Sequence, residues 1–147
     1  MRQNMKKYFS IAIALFSLIA LVGCREKLRE EVVTTYENGQ PAKVYYYNKE
    51  NQWVREVDFH ENGAVYIEGE IKNDQRTGEW TSYFLDGKVQ SKGYYVDGLR
   101  TGKALVYHEN GQLWMDGSYS NDHQCGEWIY YDEQGYEVMR KTFGPCD

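Results

Sequence analysis

The chain has 147 residues, with 17 basic against 22 acidic side chains, a formal net charge of −5 and a mean hydropathy of −0.74. An acidic chain is a poor partner for nucleic acid, whose phosphates need a basic face. Aromatic residues make up 16% of it, including 14 tyrosines and 4 tryptophans, so much of any core must be built from rings whose polar tips tolerate water.

Residues 1–23 begin with Arg2, Lys6 and Lys7 and continue through FSIAIALFSLIAL, an apolar run of 13 residues. A run that short is expected to act as a secretory signal rather than a membrane span. Leu21-Val22-Gly23-Cys24 resembles a bacterial lipobox. The resemblance implies cleavage before Cys24 and fatty acylation, as with palmitate, of its thiol; the alternative is an ordinary signal with an incidental cysteine. Several acyl chains on one residue hold a membrane firmly, since each buried CH₂ contributes about 0.8 kcal/mol. In Gram-negative lipoproteins an Asp after the cysteine retains the protein in the inner membrane, so Arg25 tilts the expectation to the outer membrane. The remaining 124 residues would carry 14 basic and 22 acidic side chains, a net −8. The charged stretch REKLREEVV then reads as a linker, with one or two helical turns open to it.

From Thr35 to about Gly144 the chain repeats with a period of 24 residues. Gly39, Gly63, Gly87, Gly111 and Gly135 form one column; Gly69, Gly93 and Gly117 a second; Gly78, Gly102 and Gly126 a third. Phe59, Tyr83, Tyr107 and Tyr131 form a fourth, opening each unit. Five units follow, the first and last degenerate, as capping repeats usually are. Val65, Ile67, Gly69 and Ile71 alternate as a half-buried strand does, and Leu113, Met115, Gly117 and Tyr119 repeat the pattern. Turn pairs at Asn73-Asp74, Asp97-Gly98 and Asn121-Asp122 precede a second short strand, so each unit is expected to be a β-hairpin. Gly69 and Gly93, inside strands, mark bends or the close packing of a large ring.

The pattern aromatic-x-x-Asn/Asp-Gly, then Gly, then Gly-x-Trp and Tyr resembles the bacterial variant of the MORN (membrane occupation and recognition nexus) repeat. It is clearest in FHENGAVYIEGEIKNDQRTGEWTSYF and YHENGQLWMDGSYSNDHQCGEWIYYD, and weaker in YFLDGKVQSKGYYVDGLRTGKALVYH, where Ala104 stands at the position of Trp80 and Trp128. In the first unit Tyr45 and Val54 replace two glycines, a departure that bears on its hairpin geometry. The resemblance implies an all-β fold, an elongated twisted antiparallel sheet of stacked hairpins that serves as a scaffold or protein-binding surface. Bacterial relatives often carry the label of an antitoxin. The expected organisation is a lipoprotein signal peptide (1–23), a lipidated cysteine with its charged linker (24–34) and a repeat domain (35–147).

With Cys24 acylated, Cys125 and Cys146 remain, and an oxidising compartment favours their bridging. Two separate thiols, or a metal site with His123, are the alternatives. His60 and His108 occupy one column two units apart, about 19 Å at the spacing of four strands, too far to share a metal. Glu61, Glu109 and Glu133 share another column, where neighbours about 10 Å apart approach the separation of an inverting glycosidase pair. Acidic residues beside surface turns are ordinarily just solvated, and GxSxG, HExxH and CxxC are all missing. Neither catalysis nor a cofactor nor a metal is expected.

Trp80, Trp128, Tyr83, Tyr107, Tyr131, Tyr95 and Tyr119 recur by column and are expected to form the core of a single-layer sheet. Trp53, Trp114, Tyr46 and Tyr94 fall outside those columns, which makes them candidate contact residues, since Trp and Tyr are enriched at binding hot spots. The reading is a lipid-anchored, non-catalytic module at the cell envelope that binds an unidentified protein by a sheet face or edge. A glycan-binding module is the second reading, because exposed rings stack on sugars. An antitoxin or immunity component is the third.

Overall fold

The computed structural model describes residues 27–147, so the signal segment, Cys24 and Arg25 lie outside the described residues. Ten strands run β1 (Arg29–Thr35), β2 (Pro41–Tyr47), β3 (Trp53–Phe59), β4 (Val65–Lys72), β5 (Gln75–Tyr83), β6 (Val89–Val96), β7 (Leu99–Tyr107), β8 (Leu113–Ser120), β9 (His123–Tyr131) and β10 (Glu137–Thr142). They form one open sheet in sequence order, with every neighbouring pair antiparallel. This is the stack of hairpins that the glycine columns imply.

Two kinds of turn alternate along it. At the first, His60 N–H bonds the Ala64 carbonyl at 2.8 Å and Gly63 N–H the His60 carbonyl at 2.9 Å, with Gly63 at φ +83°. That is a three-residue loop closed by a left-handed residue, where a Cβ would cost roughly 1–2 kcal/mol. The other column of turns has both central residues at positive φ, as in Asn121 (49°) and Asp122 (68°), the mirror-image turn whose twist matches the flanking strands.

The N-terminal end departs from the expected frame. Arg29–Thr35 is strand β1 and not a linker turn of helix, because Val32, Val33, Thr34 and Thr35 are β-branched and find a partner in β2. Arg29 anchors it, its guanidinium 4.2 Å from the Tyr47 ring and bonded to Asn51 Oδ1 at 2.8 Å. The first unit keeps its hairpin despite Tyr45 and Val54, but turns through a longer loop with Asn51 at φ 60°. The fifth unit is half a hairpin: after β10 the tail folds back, Gly126 N–H bonding the Gly144 carbonyl and Phe143 N–H the Gly126 carbonyl, each at 2.8 Å. Cys125 and Cys146 are bonded to each other, with Cα atoms 5.0 Å apart, and fasten the tail to β9.

The core is thin and uneven. Val44, Val57, Ile71, Trp80, Cys125 and Trp128 are its buried apolar side chains, while the column tyrosines are half-buried. No side chain of the third unit, residues 83–106, is fully buried.

Candidate functional site

Strand register sets Glu31, Tyr45, Glu56, Gly69, Trp80, Gly93, Ala104 and Gly117 side by side in one row across the sheet. Paired positions share a face. Trp80 lies flat on Gly69, where an added Cβ would come within 2.3 Å of the ring, and Trp128 lies on Gly117 at 2.2 Å. These strand glycines thus make room for an indole, one of the two roles open to them. Each indole N–H donates to a carbonyl ten residues back, Trp80 to Glu70 at 3.2 Å and Trp128 to Ser118 at 3.1 Å. Rings and a guanidinium frame them: Arg76 sits 3.9 Å over Trp80, and Tyr119 and Phe143 stand edge-on to Trp128 at 5.0 and 6.3 Å.

The third unit keeps the glycine and lacks the indole. Gly93 faces Ala104, and no atom lies within 4 Å of where its Cβ would be. A cavity of about 210 Å³ opens there, lined among others by Tyr95, Arg100, Met115 and Tyr119. Arg100 lies 4.3 Å over the Tyr119 ring and is fixed by Asp122 Oδ1 at 3.1 Å. Asp122 in turn accepts the Arg100 backbone N–H, and that bond together with the guanidinium holds its carboxyl below the usual range.

The opposite face carries charge. Ion pairs join residues 13 apart at each of the four junctions between units: Arg55 with Glu68, Glu79 with Lys92 at 3.0 Å, Lys103 with Asp116, and Glu127 with Arg140 at 2.7 Å. The sign order reverses from each unit to the next. Tyr94 and Tyr83 hydroxyls donate to Glu79 and Glu68, each at 2.8 Å. The Tyr94 bond first, and Lys92 second, lower the Glu79 carboxyl from its ordinary value.

The four candidate contact residues do not form one site. Trp53 stacks on Tyr45 at 4.2 Å and donates to the Arg55 carbonyl; Tyr46 lies under the Arg55 guanidinium at 5.2 Å. Trp114, 44% exposed, tilts towards His108, and Tyr94, 43% exposed, is tied to Glu79. The histidines hold the stack together: Nε2–H of His60 donates to the Tyr83 carbonyl at 3.0 Å, and that of His108 to the Tyr131 carbonyl at 2.9 Å. Tyr36, in their column, does the same with its hydroxyl to Phe59 at 2.7 Å. Glu61, Glu109 and Glu133 are exposed at their turns, and their backbone carbonyls accept bonds from Asn38, Lys88 and Asn110. Among the described residues no group of three or more His, Cys, Asp or Glu is placed to hold a metal ion. The feature that residue-by-residue reading missed is the slot at Gly93 and Ala104; its signal was a strand glycine kept where its column tryptophan is lost.

Residues 76–97 and 100–121 match the family model of the MORN repeat variant. The two matched segments fall on β5–β6 and β7–β8 and include the unit in which Ala104 replaces the tryptophan. Residues 76–121 therefore carry repeats of the MORN type. A comparison with curated proteins gives no match.

Proposed function

We propose that the chain is a non-catalytic scaffold that binds another protein along its sheet. In this reading acyl chains on Cys24 hold it at the bacterial envelope, at the outer rather than the inner membrane. The observation that carries the proposal is the ring-bearing face of an open ten-stranded sheet, broken by a slot that the chain leaves unfilled. MORN repeats serve in general as protein- or membrane-binding modules, which supports the same reading. The exposed rings of Tyr66 and Trp114, two units apart in one column, favour a glycan as the second ligand class.

Capture from membranes with the full-length protein, beside a Cys24→Ser control, tests both. One protein enriched with the native form supports the scaffold. Wall fragments released by free sugar would replace it with the glycan module, and a captured exported toxin would favour the immunity role. Equal recovery of both forms in the soluble fraction would remove the anchor.

A further inference from the structure

The third unit has every part of an indole site except the indole. Its floor is Gly93, open above the backbone, and its wall is Ala104 in place of Trp80 and Trp128. Trp128 has its edge-on neighbours nine residues before it and fifteen after; the same offsets from residue 104 give Tyr95 and Tyr119, both lining the cavity. The two column indoles, Trp80 and Trp128, each donate to the carbonyl ten residues back, and the matching acceptor for the third unit is the carbonyl of Tyr94. Arg76 covers Trp80; its counterpart Arg100 stands at the slot with no indole of its own beneath it. A cavity of about 210 Å³ suits a bicyclic ring, given that an engineered cavity of about 150 Å³ in another protein takes benzene.

We propose that this slot takes the indole of a tryptophan carried by a partner polypeptide, which completes the third repeat in trans. The proposal rests on the scaffold reading and names its anchor. The ring would lie on Gly93 between Tyr95 and Tyr119, under Arg100, with its N–H on the Tyr94 carbonyl. Arg100 adds cation–π attraction to apolar burial, and the carbonyl sets the orientation. The electron-rich indole face gains most from Arg100, so tryptophan should outrank phenylalanine.

The test is a titration of N-acetyltryptophanamide into full-length protein in detergent, read at the Gly93 and Ala104 amides by NMR. Saturable shifts are expected there, weakened about threefold to tenfold when the indole nitrogen is methylated, as suits one lost hydrogen bond. Ala104→Trp supplies a tethered competitor at high effective concentration and should weaken binding at least about tenfold. Gly93→Val, at a position with free space for a Cβ, should do the same without adding a ring. The absence of saturable shifts, or shifts that persist in both variants, overturns the slot. Binding of free indole but not of the amide overturns a polypeptide occupant. In the membrane capture, the same partner held by wild type and Ala104→Trp removes the slot and leaves the scaffold. No partner with either form removes the scaffold reading, and the titration then decides the slot alone.

Discussion

Where the fourth unit buries Trp128, the first buries Glu56, the residue at the same point of the repeat. Trp128 is 1% exposed, rests on Gly117 and is walled by Tyr119 and Phe143. Glu56 is 5% exposed and is held by Lys43 Nζ at 2.8 Å and by Arg76 at 3.6 Å, with Tyr45 in the place of the glycine. Burial acts to lower the Lys43 pKa, but its bonds to Glu56 and Asp58 outweigh that and raise it. The same ladder and turns therefore tolerate a ring, a charge network or, at Ala104, a void. Backbone register makes the fold, and the occupant of this column decides how firmly each stretch of the stack is held.

Trp128→Ala should have the largest effect. Truncating a buried aromatic costs about 3–5 kcal/mol, and because each repeat touches only its neighbours the loss should concentrate in β8 to β10. Hydrogen exchange checks this: protection in β3 and β4 should survive, and uniform loss along the sheet would contradict a one-dimensional stack. Opening the Cys125–Cys146 bond comes next. A loop of about this length contributes roughly 3 kcal/mol, so Cys146→Ser should lower the denaturant midpoint and free the tail. An unchanged midpoint would mean that the Gly126 bonds suffice without it.

Glu56→Ala sharpens the comparison from the other end. It leaves Lys43 and Arg76 without their shared carboxylate, but both side chains are about a third exposed and partly resolvated. The cost should be about 1–2 kcal/mol, less than for a fully enclosed pair, and it should shrink in high salt while the Trp128→Ala cost does not. A salt-independent loss at Glu56 would show that packing, not charge, holds the first unit.

Much of this was legible in the sequence, for reasons that differ by residue. The period was readable because Gly39 and its column sit at positive φ, which few other residues accept, and Gly69 was readable as making way for a ring. β1 was not: all seven of its residues are exposed, so no alternation marks it. The fifth unit was readable as degenerate, but the return of its tail to Gly126 was not, because those backbone bonds depend on folding. Trp53, Trp114, Tyr46 and Tyr94 were chosen for standing outside the columns, a criterion that cannot say which rings meet. The slot escaped because Ala104 was read as a weakened repeat, and only the register that sets it beside Gly93 shows the space left between them.

Acid should act weakly and with mixed sign. Hydrogen bonds to Tyr94 and Lys92 lower Glu79, and the Arg140 guanidinium lowers Glu137. With folded pKa values below unfolded ones, their contributions are complete above the ordinary carboxylate range and fade as pH falls through about 4. Asp58 runs the other way: burial raises its pKa, so protonation there relieves the fold. The denaturant midpoint should decline gently below about pH 4, and Asp58→Asn should steepen the decline by removing that relieving group.

The smallest equilibrium effect belongs to the ion-pair face, and its value lies in register. The native pairs alternate in sign from unit to unit, so slipping one unit along would set Arg55 against Lys92, Glu79 against Asp116 and Lys103 against Arg140. Every slipped rung is a like-charge pair, which disfavours the misregistry that near-identical hairpins otherwise invite. Exchanging the second rung, Glu79→Lys with Lys92→Glu, keeps its native attraction and turns two of those slipped contacts into attractive ones. Stability should stay within about 0.5 kcal/mol of wild type, as exposed pairs are worth little. Refolding should nevertheless slow and populate misregistered species, detectable as lower recovery of the Cys125–Cys146 bond. Unchanged refolding would mean that the turns and the indole row alone select the register.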